Sequence, residues 1–503
     1  MIYRRFIRWL FPFIVLLLVN CPAVQATESA VKVAVNWNKV LRVSRTTATL
    51  QVVVTPAMRP GHAMHDAAFR ALHDLGCEMV RYVPWLPYPK LSVAELEPPK
   101  DGKTSWDFSL IDPMTADFME ATAGHSVLMN FSAPPQWVWK TEKPVPYPAD
   151  PDQVTWTYEQ GTELRDPSMK ELADYYARLV SWYTQGGFKD EYGVWHASDH
   201  HYKIDNWEVF NEVDDEHSMT PPQYTAYYDA IVEAILRVAP HMKFAGMALD
   251  NSSRRPDYFE YFLNHRNHQP GIPLDIITYH FYANAASDQP PEVQQYTFFE
   301  RADHFLDAVR YIEVIRQRLS PETQTDVDEL GTNANDGTGH GPGYVPPPLP
   351  HGYWNLSGAV YAYVYAELAK LGIEYAGESQ LLGYPTQWPS VTMVDWVTGR
   401  PNARYWALKL IHENFGPGDK LMATHIGTPG LYALGFTTRD GKHKVLLVNK
   451  HDRTFVASLP GAAGGRLEVV DQQTALEPPA VSQLPSDDVT LSGFAVAVVT
   501  LPK

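Results

Sequence analysis

Two carboxylates offer the chemistry in this sequence. Glu212 closes the run Ile204-Asp205-Asn206-Trp207-Glu208-Val209-Phe210-Asn211-Glu212, and Glu329 sits in Val327-Asp328-Glu329-Leu330-Gly331-Thr332. Each run starts as a strand would and ends in polar residues ahead of a helical pattern. Two such groups about 5–5.5 Å apart can cleave a glycosidic bond with retention, one as nucleophile, the other as acid and then base. The nucleophile must be ionised. The acid must start protonated, which burial beside a negative neighbour favours. Glu212 is read as the acid/base and Glu329 as the nucleophile. Asp328 is the alternative nucleophile. Strand alternation aims it opposite to Glu329, so only one of the two should face a site at the strand tips. Glu208 shares the parity of Glu212, lies deeper, and reads as a paired structural carboxylate.

The elements that must position this pair follow a strand-then-helix rhythm. Strand runs are expected at 50–54, 77–83, 126–131, 204–212, 244–249, 274–281, 325–330 and from 373, with helical spacing between them. A helical stripe at Phe298, Ala302, Phe305, Val309, Ile312 and Leu319 is the clearest of these. The pattern predicts an α/β fold, a (β/α)₈ TIM barrel over 49–415, with catalytic groups at the C-terminal strand tips. An open doubly wound sheet is the competitor. It usually carries a Gly-rich first turn, and Thr55-Pro56-Ala57-Met58-Arg59-Pro60-Gly61 is not one. Short β-rich runs over 416–503 predict a small β-sandwich domain. The strands at 31–37 and 40–43, within 27–48, need a sheet to pair with and are expected to join it.

Composition limits the classes. The 503 residues suffice for one large core and a smaller domain. Arg4, Arg5 and Arg8, an apolar run from Phe11 to Val19, and Val24-Gln25-Ala26 read as a signal peptide over 1–26, hence an exported protein, periplasmic or secreted. Removing those three arginines lowers Lys+Arg from 41 to 38 against 58 acids, so the net charge moves from -17 to -20. Such an acidic chain is a poor partner for nucleic acid or anionic membrane. The cysteines are Cys21, in the leader, and Cys77, in an apolar strand run, so no internal disulfide is expected.

Asn206-Trp207-Glu208-Val209-Phe210-Asn211-Glu212 resembles the acid/base motif of glycoside hydrolase family 39 in clan A. The resemblance implies a (β/α)₈ barrel with an Asn-Glu at strand four, a nucleophile Glu at strand seven, and a β-sandwich built from chain ends. It extends over most of the mature chain. Phe210 stands where Trp is common and Val213 where Pro is common. Asp328-Glu329-Leu330-Gly331 replaces the more usual Thr-Glu-aromatic. The resemblance makes Asn211 a donor to a sugar 2-hydroxyl. Simple alternation aims it away from the mouth, so a local bulge is required. It also places His280 or Tyr282, at strand six, beside the nucleophile, with Tyr282 favoured. Arg81, at the end of strand two, can hold the nucleophile by charge-assisted hydrogen bonds or serve only as a salt bridge.

Trp85, Trp137 and Trp388 fall in expected βα-loops, where an aromatic face stacks on a sugar or packs the loop. Glu378, near strand eight, is a further polar candidate. His196, His200, His201 and Asp199 lie in an irregular segment and read as solvated rather than as metal ligands. Asn130, Asn251 and Asn355 open glycosylation triplets. The long 332–354 loop is expected to wall the cleft and favour an exo-acting pocket. The sequence therefore reads as a retaining glycosidase that needs no cofactor or metal and acts on an oligosaccharide or polysaccharide. Xylosidase-, arabinosidase- or galactosidase-like action fits. A non-catalytic carbohydrate-binding barrel is the rival reading, and a metal-dependent hydrolase the third.

Overall fold

The computed structural model describes residues 30–286, 288–334, 336, 345 and 348–502. The expected signal peptide, with Cys21, lies outside these residues, as does much of the 332–354 loop. Eight parallel strands close into a barrel. In chain order they are β1 (Thr47–Val53), β2 (Met79–Val83), β3 (Ser126–Met129), β4 (Asn206–Val209), β5 (Lys243–Leu249), β6 (Ile276–Asn284), β7 (Gln324–Asn333) and β8 (Tyr375–Glu378). Each is followed by a helix on the outside, and β8 pairs back onto β1.

Local chemistry explains the elements. The barrel strands are buried on both faces, so they read as apolar runs rather than as alternations. Helix Pro221–Leu236 opens with Thr220 and Gln223 in a reciprocal capping box, with proline in its first turn. Helix His65–Leu75 stops at Gly76, which takes the left-handed conformation that ends a helix. Helix Tyr353–Leu371 is apolar nearly all round because it is buried on nearly every face. Beyond the expected elements, a hairpin pairs Gly187–Lys189 with Trp195–Ala197.

Among the described residues, nine further strands form the sheet of the β-domain. Val31–Val43 is one strand rather than two, with bulges between Asn36 and Arg42. It pairs antiparallel with Lys420–Ile426 and parallel with Phe455–Ser458, as an N-terminal strand seeking a sheet should. Lys420–Ile426, Ala480–Gln483 and Asp488–Leu491 add strands that were not anticipated. The sheet curls around Val33, Leu431, Leu447, Val489 and Val499. Its other side shares the barrel's core through Leu421, Phe436, Val496 and Val498. Phe415, just past the last barrel helix, stacks on Phe436 at 4.1 Å. Among the described residues no helix is long and apolar enough to cross a membrane.

Candidate active site

A single guanidinium organises the C-terminal mouth of the barrel. Arg81, on β2, is buried. Its Nε donates to Glu208 Oε2 at 2.6 Å and lies 2.9 Å from Asp328 Oδ2. Its Nη1 donates to Gln51 Oε1 and to Glu329 Oε1, each at 2.6 Å, and its Nη2 donates to Asn211 Oδ1 at 2.7 Å. One planar cation thus ties β1, β2, β4 and β7 together, a task that suits arginine's fixed fork of donors. Glu208 is the paired structural carboxylate expected. Burial, only partly offset by Arg81, raises its pKa to about 7.

Glu329 has a second support. The Tyr282 hydroxyl donates to Glu329 Oε2 at 2.6 Å and is 2.5 Å from Ser379 Oγ, which Gln51 Nε2 holds at 2.6 Å. Burial and the neighbouring Glu329 push the Tyr282 phenol well up, so it stays a donor. A carboxylate gripped at both oxygens, by a cation on one side and a neutral donor on the other, is held in one orientation.

His280 and Tyr282 both reach the site. His280 Nδ1 is 3.0 Å from Glu212 Oε1, and its Nε2 is 3.5 Å from Glu329 Oε1 and 3.7 Å from Asp328 Oδ1. Burial opposes charge on this ring, but Glu329 and Asp328 outweigh it and hold the imidazole protonated. Glu212, Glu329 and His280 bring oxygen and nitrogen atoms within 4.8 Å of one another. Burial lifts Glu212 to about 7 against the opposing pull of His280. Burial thus favours the protonated form that an acid needs.

Local backbone breaks produce this convergence. β4 ends at Val209, and Phe210 and Glu212 follow with φ of 63° and 39°. Left-handed non-glycine residues cost roughly 1–3 kcal/mol each. The break turns Asn211 into the mouth, as its expected role requires. Phe210 is anchored among the rings of Trp139, Tyr176 and His217. A second irregularity corrects the alternation argument for β7. The register against β6 shifts between Asp326 and Glu329, so both Asp328 and Glu329 face inward. They differ in depth. Glu329 lines the cavity, whereas Asp328 lies beneath it. Burial works to raise Asp328, but Arg81 and His280 hold it below the usual carboxylate range.

The cavity above the pair has a volume of about 240 Å³. Glu212 and Glu329 line it with Asn211, Asp215, Asp250, Asn284, Asn333 and Gln380. Trp85 and Trp388 form one wall, with ring centres 6.0 Å apart and planes 21° from parallel. Trp156 packs edge-on against both.

Two expected contacts fail. Trp137 packs the loop instead: its indole donates to Glu95 O at 2.9 Å and Arg165 covers its face at 4.5 Å, away from the cavity. Glu378 is fully buried against Arg404 at 2.8 Å, because β8 turns it outward from the mouth into a structural ion pair. The histidines before β4 do not converge. His196 pairs with Asp190 at 2.9 Å and His200 with Asp112 at 3.2 Å. Among the described residues, the atoms grouped closely enough to hold a metal are those of Glu212, His280 and Glu329. Asn130 and Asn355 are buried and cannot accept a glycan. Asn130 donates to Glu208 Oε2 at 2.5 Å and to Phe210 O at 3.0 Å, supporting the break itself. Gln51, Ser379 and Glu216 were missed, and each lacked any local pattern that marked it.

Comparison with known proteins agrees with this architecture. Residues 429–499 match the model of the D-apionate lactonase C-terminal immunoglobulin-like domain. No curated protein matches the sequence. The structure is similar to a family 51 arabinofuranosidase from Xanthomonas axonopodis pv. citri, at a TM-score of 0.60 and 12% identity over 94% of this chain and all (100%) of that one. A family 51 alpha-L-arabinofuranosidase from Bifidobacterium longum gives 0.61 and 12% over 94% and 99% of the two chains. A family 30 endoxylanase from Clostridium papyrosolvens C71 gives 0.56 and 13% over 94% and 100%. At these identities the likeness is one of fold. It is the (β/α)₈ barrel with an attached β-sandwich.

Proposed function

We propose that this protein is an exported retaining glycoside hydrolase of the clan A type. The observation that carries the reading is the facing pair: oxygens of Glu212 and Glu329 lie within 4.8 Å across the cavity. That separation suits a double displacement, whereas inversion needs roughly 6.5–9.5 Å to admit a water. Glu329, held by Arg81 and Tyr282, attacks the anomeric carbon as the glycosidic bond breaks. Glu212 gives its proton to the departing oxygen. Water enters with Glu212 as base, and the glycosyl–Glu329 ester is hydrolysed. No step calls for a cofactor.

The substrate is a terminal, uncharged sugar of a plant or microbial polysaccharide or oligosaccharide. A cavity of about 240 Å³ is below the usual range for drug-sized ligands and suits a single ring, favouring exo action. Its lining includes four carboxylates and no lysine or arginine. Residues 332–354 contain no lysine or arginine either. Among the described residues, a uronate would meet these carboxylates with no lysine or arginine in the lining to pair with. Arabinosidase-, xylosidase- and galactosidase-like activities remain in this class. The strand-four motif resembles family 39, while the similar structures named above come from families 51 and 30, so the reading is placed at the level of the clan.

The test is release of reducing sugar from neutral polysaccharides and aryl glycosides by the protein and by its Glu212→Gln and Glu329→Gln variants. Polysaccharide hydrolysis lost in both variants, and aryl glycoside hydrolysis lost in Glu329→Gln, supports the reading. Binding of these sugars without hydrolysis would instead favour a carbohydrate-binding barrel. The lactonase-domain match motivates one second reading, hydrolysis of a sugar lactone by the same carboxylates. That match spans only the β-domain, which contributes neither Glu212 nor Glu329. Proton release from aldonolactones, followed at constant pH, separates the two.

A further inference from the structure

Glu216 follows Glu212 by one turn, its amide donating to Glu212 O at 2.8 Å. Its Oε1 accepts from two residues that line the cavity, Trp85 Nε1 at 2.5 Å and Asn211 Nδ2 at 2.9 Å. Glu216 itself does not line the cavity. Its other oxygen, Oε2, is buried without a partner.

The two acceptances have separate consequences. Arg81 can only donate, so the amide oxygen of Asn211 must face it, and the amide nitrogen must then face Glu216. With an acceptor at one end and a donor at the other, the Asn211 amide has a single permitted orientation. One Nδ2 hydrogen is used by Glu216 and the second is left for a ligand. The Trp85 indole has one donor, and its bond to Glu216 fixes the rotation of the ring that faces Trp388. A carboxyl oxygen accepts both bonds whether or not Oε2 carries a proton.

We propose that Glu216 is a positioning residue of the proposed glycosidase: through one oxygen it locks the Asn211 amide and the Trp85 ring, coupling the sugar-stacking wall to the floor beside the acid/base. This rests on the reading of Glu212 and Glu329 as the catalytic pair. The role belongs to oxygen as an acceptor, not to charge, and that distinguishes it from a merely structural carboxylate.

The test compares Glu216→Gln, Glu216→Ala, Asn211→Ala and the double alanine variant, using the neutral aryl glycoside that the wild type cleaves best. Misplacement of positioning groups by about 1 Å costs roughly 100-fold, so Glu216→Ala should lose about that factor in kcat/KM. Glu216→Gln keeps an acceptor oxygen and should stay within about threefold of wild type. In the Asn211→Ala background, Glu216→Ala should cost under about tenfold, because the shared partner is already gone. An alanine variant as active as wild type, a glutamine variant as slow as alanine, or full additivity overturns the proposal. If the wild type hydrolyses no glycoside, the glycosidase reading fails by itself. Crystal structures of the two single variants then decide: Asn211 and Trp85 displaced in Glu216→Ala but not in Glu216→Gln supports the positioning role, and both unmoved in Glu216→Ala overturns it.

Discussion

Arg81 on β2 donates from Nη1 to Oε1 of Glu329 on β7 at 2.6 Å, reaching across the interior of the barrel. The same guanidinium faces Glu208 and Asp328, so three buried carboxylates share it. Removing one partner of a buried charge pair costs about 3–5 kcal/mol, because the other is left uncompensated. Arg81→Met should lose about that much stability in urea unfolding and all measurable activity. Arg81→Lys should recover some stability but little activity, since a point charge cannot serve Glu208, Glu329 and Asn211 together.

The protonation of Glu212 sets an alkaline limit. Its carboxyl is raised to about 7 by burial, and the first step needs the proton. kcat/KM should fall tenfold per unit as pH rises above that value. The variant Glu212→Gln should lose this limb, along with most activity on substrates with poor leaving groups. A falling limb that survives in Glu212→Gln would assign it to another residue.

The tryptophans separate binding from packing. Trp85 and Trp388 line the cavity, whereas Trp137 is capped by Arg165 and bonded to Glu95 O. Trp388→Ala should raise KM by about tenfold, a loss of roughly 1.4 kcal/mol. Trp137→Ala should leave KM unchanged and cost about 3 kcal/mol of stability. Steady-state kinetics and thermal melts on both variants check the contrast.

Glu95 gives a linkage between pH and stability. Its side chain is fully buried, both oxygens lack partners, and burial raises its pKa to about 8. A folded-state pKa above the unfolded value means that folding takes up a proton between about pH 4.5 and 8. The contribution is fully present below the unfolded pKa and is lost as pH rises through the folded one. Glu95→Gln should therefore raise the melting temperature at pH 8 more than at pH 5. Equal shifts at both pH values would contradict this.

Much of the fold was legible because barrel strands and helices carry local signatures. The apolar runs at β1 to β8 and the glycine stops at Gly76 and Gly372 recur in chain order. Strand Ala480–Gln483 was not legible because it is exposed throughout and has no alternation to read. Glu212, Glu329, Arg81 and Tyr282 could be found as polar residues at strand tips. Strict alternation aims Asp328 outward because it ignores bulges, and the register shifts around Glu329 show only against the partner strands β6 and β8. Trp137 and Trp85 look alike as loop tryptophans; the path of each loop decides which one meets the cavity. Glu216 had no signal, since its partners come from β2's loop and from the broken end of β4.

The central claim is that Glu329 forms a covalent bond to sugar. Intact-protein mass spectrometry after exposure to 2-deoxy-2-fluoro glycosides of neutral sugars, with good leaving groups, tests it directly. The account predicts a mass gain of one fluorosugar that maps to the peptide 324–333 at Glu329 and is absent in Glu329→Gln. A label on Asp328, or steady hydrolysis of natural substrate by Glu329→Gln, would contradict it.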